Sequence, residues 1–284
     1  MERKSAKVNR ILLQPLMRIQ QRRMGTLTMQ TFSKYKRLLP SSTVHQSRLR
    51  LFQATRRPKA MDDVVQTSWG MVRIKGRVGQ THADVMESIF ACAEKVAETP
   101  DGRIKLLVDP WRVKQKANQL SGSTLRRILD DLMQVLIEIK EPVDLACIGH
   151  VIDHVDFAKR ADGTPITKEN PMGGHRGVWI VEVGKAFCML MEKDLKLWHD
   201  PEPISRLNHG VTQAVARHVL THKIHPFGGW TLDGLIRAVS GEIDTVAMRH
   251  RRNELRSDAK ELESIGILLD GNKIKRLKNT ESKC

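Results

Sequence analysis

Arg249, Asn253, Arg256 and Lys260 stand at i, i+4, i+7 and i+11, which places them on one face of a helix turning about 100° per residue. The chemistry open to such a face is base reading. Arg forks onto guanine O6 and N7, and Asn onto adenine N6 and N7. Met248, Leu255, Ala259 and Leu262 fall on the other side, where a core would take them. Arg251 and Arg252 flank the stripe within reach of phosphates. Lys273, Lys275 and Arg276 follow on a segment suited to gripping the backbone beside a groove. The acids Glu254, Asp258 and Glu261 project from other angles and leave the stripe free of negative charge. The bland alternative is a solvated face on an amphipathic helix. The acid-free stripe, with a short helix and tight turn before it, favours a helix-turn-helix reader of double-stranded DNA.

Other chemistries find less support. Cys92, Cys147, Cys188 and Cys284 lie far apart with no C-x-x-C pair, which suits a reducing compartment and neither a zinc cage nor a disulfide framework. His218, His222 and His225 have ligand-like spacing, but the same residues serve as favourable imidazoles at a helix C-terminus. His150, Asp153 and His154 are a weaker cluster of the same kind. A rolling-circle nuclease needs a tyrosine nucleophile and a His-x-His pair; the one tyrosine is Tyr35 and no His-x-His occurs. No G-x-x-x-x-G-K-[ST] phosphate loop is present. We expect no catalysis, no cofactor and no metal.

The elements that must position the stripe can be read from pattern. Pro203 starts a helix to about His222, and Phe187 to Lys193 reads as a strand before it. Thr231 opens a helix to Val239, Ser240-Gly241 turns, and a long helix runs from Glu242 to Ser264. Residues 267–269 and 273–275 form a hairpin around Asp270-Gly271, which supplies the positive φ of a tight turn. The first half shows the same order. Val72 to Lys75 alternates as a strand, and a helix from Thr81 carries Ala83, Met86, Ile89, Phe90 and Ala93. Ile104 to Val108 is a strand and Pro110 to Asn118 a helix. A third helix, capped by Ser123 or Thr124, runs to about Lys140. Strands follow at 143–155, bent near Gly149, and at 178–183, with a long loop over 158–177. Helix, strand, helix, turn, helix, hairpin is the order of a winged helix. The predicted fold is therefore α+β, with two tandem winged-helix domains preceded by a basic flexible N-terminal arm. Its boundaries are expected at 1–59 for the arm, 60–184 for the first domain and 185–284 for the second, the main reader. The first half is the poorer reader, because Asp130 and Asp131 repel phosphate. Ser123, Arg126 and Arg127 would give it backbone contacts or a subunit interface.

Charge explains why an arm is expected. Residues 1–59 carry fifteen Lys or Arg against one acid, Glu2, whereas the rest of the chain carries 33 basic and 31 acidic groups. A basic arm on a nearly neutral body suits a polyanion such as DNA, RNA or an acidic membrane surface; a solubilising tail has the same composition. It also resembles a mitochondrial presequence, with Ile11, Leu12, Leu16 and Ile19 near helical spacing. No apolar run approaches the ~18 residues of a membrane span.

At Arg50-Leu51-Phe52-Gln53-Ala54-Thr55-Arg56-Arg57 the chain resembles the plasmid replication initiators, the iteron-binding Rep proteins that include the TrfA-like group. Those proteins carry a Leu-Phe-x-Ala-x-Arg-type segment just before the first strand of their first winged helix. The resemblance continues through the strand ending at Gly76 and the helix Thr81–Val96, and closes with the second winged helix and its hairpin. It spans residues 46–278, mostly as element order. It implies binding of repeated origin sites (iterons) on plasmid double-stranded DNA, opening of adjacent AT-rich DNA and recruitment of the host replicative helicase in a bacterial cytoplasm. It also implies a monomer that initiates and a homodimer that limits initiation. A transcriptional regulator on the same fold is the second reading, and a DNA-processing enzyme the third. Within the same segment, Gln46, Leu49, Leu51 and Phe52 match the Q-x-x-L-x-L-F peptide that docks on bacterial sliding clamps. The alternative is that Leu51 and Phe52 anchor the arm onto the first domain.

Overall fold

The computed structural model describes residues 40–277, except 41, 44–48, 69, 142–144, 171–172, 193–195, 198 and 223–225. Tyr35, Gln46, His225, Cys284 and the arm through residue 39 therefore lie outside the described residues. The first half opens with β1 (Ser42–Thr43), then β2 (Met61–Gln66) and β3 (Met71–Gly76). Helix α1 (Gln80–Cys92) leads directly into β4 (Ala93–Glu98) and β5 (Ile104–Val108). Asp109 then caps α2 (Pro110–Lys116) by accepting the Trp111 N–H at 3.0 Å, and Ser121 caps α3 (Gly122–Gln134) by accepting the Thr124 N–H at 3.1 Å. Next come β6 (Leu136–Lys140), β7 (Leu145–His150), β8 (Ile152–Phe157), the small pair β9 (Thr167–Glu169) and β10 (His175–Gly177), β11 (Trp179–Val183) and α4 (Lys185–Glu192).

The second half begins with β12 (Lys196–Leu197), which pairs with β1, and α5 (Pro201–Ser205), capped by Asp200. It continues with α6 (Gly210–Leu220), β13 (Trp230–Thr231), α7 (Leu232–Ser240), α8 (Thr245–Ser257), α9 (Ala259–Ser264) and the hairpin β14 (Ile267–Asp270) and β15 (Lys273–Arg276).

The halves share one topology. In the first, β5 pairs with β11 and β11 with β8, while β4 adds an outer edge. In the second, β13 pairs with β15 and β15 with β14. In both, the strand just before the helix pair (β5 before α2–α3, β13 before α7–α8) pairs with the last strand of the wing. The fold is α+β, two winged helices in tandem. A further four-stranded sheet, in the order β2-β3-β6-β7, is built onto the first half alone. Each half packs its own core. Ile74, Ile89, Ile128, Leu132, Ile137 and Phe187 are buried in the first. Val215, Leu235, Leu255, Ile267 and Ile274 are buried in the second.

Several expectations change. The third helix stops at Gln134, because Leu136 to Lys140 alternates and inserts Ile137 and Ile139 into the first core as strand β6. Ala93 to Glu98 leaves the helix that begins at Gln80 and becomes an edge strand. Residues 145–150 and 152–157 are two strands in different sheets. Phe187, Leu190 and Met191 are spaced for a helix, and α4 buries them in the first core where a strand opening the second half was expected. The loop over 158–177 carries the pair β9–β10. The helix expected from Pro203 is split into α5 and α6, and the helix expected over 242–264 into α8 and α9. Residues 49–58, assigned to the arm by charge, are packed. Leu49, Leu51 and Phe52 join the first core and Ala54 the second.

Candidate nucleic-acid interface

The second winged helix presents a helix-turn-helix. Thr231 caps α7 by accepting the Gly234 N–H at 3.2 Å, and Asp244 caps α8 by accepting the Ala247 N–H at 2.7 Å. Between them Gly241 takes φ +74°, a left-handed conformation that favours glycine and ends α7 abruptly. Leu232, Leu235, Ile236 and Val239 of α7 and Met248 and Leu255 of α8 pack on the second core. That packing turns Arg249, Asn253 and Arg256 to solvent. A groove lined by Thr231, Asp233, Arg249, Arg256, Asn272 and Lys273 runs between the start of α7, the helix α8 and the wing.

Its cations are not all equally available. Among the described residues, the side chains of Arg249, Asn253, Lys260 and Lys273 are exposed and join no ion pair. Arg256 is also exposed and donates to the Asn272 side-chain oxygen on the wing tip at 3.0 Å. Arg252 forks onto Asp233 at 2.6 and 2.5 Å, and that hydrogen bonding holds the Asp233 carboxyl below its usual range. Arg251 pairs with Glu254 at 3.0 Å, and Lys275 with Asp270 at 2.7 Å. Arg276 donates to the His222 carbonyl at 3.0 Å, which ties the wing to the end of α6. The expected four-residue stripe is also shortened. Asp258 interrupts the helix, so Lys260 lies on α9 and is no continuation of the α8 face.

The structure adds residues that charge and hydrogen-bonding type did not single out. Val246 is 56% exposed and sits three residues before Arg249, so the face of α8 reads Val246, Arg249, Asn253, Arg256. An exposed methyl group there suits a thymine methyl. The signal in the sequence was its register with the stripe. Asn272 was concealed as a turn residue, and Asp233 as an ordinary acid in the first turn of a helix.

In the first winged helix, α3 exposes Ser123, Arg126 and Arg127, and Arg127 lies 3.8 Å from Asp131. The groove between α2, α3 and the wing strands differs in kind from its counterpart. Trp111, Met133, Val155, Phe157 and Trp179 line it, and Phe157 is 58% exposed. Arg176 reaches over Trp111 and forks onto Asp109 at 3.0 and 2.8 Å. The sliding-clamp reading is corrected. Leu49, Leu51 and Phe52 are at most 7% exposed inside the first core and have no surface to offer, while Gln46 lies outside the described residues. His222 stacks edge-on against Trp230 and its ring Nδ1 meets the His218 carbonyl at 3.0 Å. Among the described residues no group of three or more His, Cys, Asp or Glu could hold a metal ion, and no helix is long and apolar enough to cross a membrane.

No family model matches the chain, and no curated protein sequence matches it. Among solved structures, a crystal structure of domain 2 and domain 3 of RctB is similar to it. The TM-score is 0.51 at 13% identity, and the match covers 83% of this chain and 96% of that one. The two share a fold. A second crystal structure, of RctB domains 2–3, gives a TM-score of 0.45 at 11% identity, with 80% of this chain and 94% of that one covered.

Proposed function

We propose that the chain is a replication initiator of the plasmid type, whose second winged helix reads double-stranded DNA at repeated origin sites. The observation that carries the DNA-reading part is the face Val246, Arg249, Asn253 and Arg256. It is exposed on α8, opens onto a groove shared with Lys273 of the wing, and is held rigid by a capped helix on a packed core. Arg249 and Arg256 supply guanine-type forks and Asn253 an adenine-type one, while Lys273 grips phosphate. Ser123, Arg126 and Arg127 of the first winged helix contribute backbone contacts. Arg251, Arg252, Lys260, Lys275 and Arg276 serve the electrostatic envelope rather than the bases.

The initiator part rests on the resemblance of residues 46–278 to the iteron-binding Rep proteins, and on the fold shared with the RctB replication initiator domains. In this reading the chain binds its origin, promotes opening of neighbouring AT-rich DNA and brings in the host helicase. Selection of duplexes from a randomised pool by the full chain, followed by footprinting on the DNA flanking its gene, tests it. Protection of several direct repeats of about two helical turns each is expected. A single short palindrome instead would make it a transcriptional regulator, and the absence of any selected duplex would end the DNA reading.

A further inference from the structure

The joint between the two winged helices is charged and buried. Arg217 of α6 forks onto Glu87 of α1 at 2.9 and 2.8 Å, donates to Asp84 at 2.7 Å and to the Gln80 side-chain oxygen at 2.8 Å. Gln213, one turn earlier on α6, donates to the second Asp84 oxygen at 3.1 Å. Asp84, Glu87 and Arg217 are 2, 2 and 7% exposed. Gln80, Asp84 and Glu87 stand at i, i+4 and i+7 on α1 and so form one polar face, matched to Gln213 and Arg217 on the other helix. These two helices hold equivalent places, each preceding the helix pair (α2–α3, α7–α8) of its winged helix.

We propose that Arg217 is the positioning residue of this joint, fixing the two winged helices at one mutual orientation and thereby setting the spacing of the DNA tracts they face. The inference rests on the reading of the chain as a duplex reader. An apolar contact between two helices can slide by a turn at little penalty. Here a slide leaves a buried carboxylate without its donor, which is strongly unfavourable, so one register survives. A second tie works beside it. Arg56 donates to the carbonyls of Ser205 and Leu207, and Gly210 approaches Thr55 so closely that a Cβ would lie 2.5 Å from its backbone. The chain leaving the first core is thus clamped to the start of α6. Removing Arg217 alone would leave two buried carboxylates without their donor and destabilise the fold, whereas making the whole cluster apolar is often neutral for stability, so R217M is made in a D84L/E87L background, which separates orientation from folding.

The test compares the full-length wild type with R217M in that background and with R217K alone. The DNA probe is a duplex recovered by the wild type from a randomised pool, alone and with five base pairs inserted between its two protected tracts. Spin labels at the exposed positions Gln134 and Glu261, in a background lacking Cys147 and Cys284, report the distance between the halves without DNA. Wild type should give a narrow distance distribution and lose on the order of 100-fold in affinity on insertion, because its second contact becomes unreachable. R217M should broaden the distribution, bind the uninterrupted site about tenfold more weakly and tolerate the insertion within about threefold. R217K should lie between, since it keeps the charge and loses the fork. A distribution in R217M as narrow as in wild type overturns the inference. So does a broadened one with the wild-type insertion penalty. If wild type recovers no duplex, the DNA reading fails, while the label distances still decide whether Arg217 fixes the joint.

Discussion

Asp258 accepts the backbone N–H of His209 at 3.0 Å and meets the His209 ring Nδ1 at the same distance. A third contact comes from the Asn208 side-chain amide, also at 3.0 Å, and the carboxylate is fully buried. This bond set ends α8 at Ser257 and fastens it to the start of α6. D258A should destabilise the chain by about 1–3 kcal/mol, the cost of leaving buried donors without an acceptor. Urea midpoints measure it, and an unchanged midpoint would show that water replaces the carboxylate.

The proposed reading face of α8 predicts a division between affinity and specificity. N253A and R249A should each lose about 1–3 kcal/mol on a selected duplex and relax preference at one position. V246S should relax preference at a thymine with a smaller loss. K273A should weaken all duplexes alike and flatten the salt dependence by about one unit. Equal behaviour of N253A and K273A across a panel of sites would remove base reading from α8.

In the proposed reading Arg252 would reach a phosphate, but Asp233 holds its guanidinium. Freeing it should strengthen binding. D233N is expected to raise non-specific duplex affinity several-fold at low salt and to steepen the salt dependence by about one unit. Titration at two salt concentrations checks this, and a fall in affinity would mean that the pair aligns the helix-turn-helix rather than restraining it.

His82 gives a pH dependence. Its Nδ1 accepts the Gly79 N–H at 3.1 Å at the start of α1, while Nε2 lies 3.1 Å from Asp131. Burial pushes its pKa below the ordinary 6.5, against the pull of Asp131. The unfolded chain therefore takes up this proton first as pH falls, and stability is full above about 6.5 and declines below it. Protonation also removes the lone pair that Gly79 uses. Urea midpoints between pH 8 and 5 should fall for wild type and fall less for H82Q. Parallel curves would assign the decline to other groups.

Much of the fold was legible because its signals are local. The turn at Asp270-Gly271, the cap at Thr231 and the apolar spacing of Leu235, Ile236 and Val239 each specify their element within a few residues. What was hidden depends on distant partners. Leu136 to Lys140 continues a helical apolar face as well as a strand, and only pairing with β3 decides between them. Nothing local to Asp258 announces a helix break, because its donors lie about fifty residues away. At the candidate interface, residue types singled out Arg249, Asn253 and Arg256, which the structure leaves exposed on α8. The tie of Arg252 to Asp233, across 19 residues, was not readable from spacing along one helix.

The hairpin β6–β7 departs after Val135 and returns at Val151. Its two ends meet, with Leu136 opposite His150 and the His150 ring Nδ1 at 3.1 Å from the Val135 carbonyl. In the second half the corresponding interval, between α8 and the wing, holds only the short helix α9. A module whose entry and exit coincide can be spliced in or out while the chain on either side keeps its course. The interval between the last helix of the helix pair and the wing is thus a place where this architecture can hold an inserted module, and in the first half that module carries a surface with no counterpart in the second.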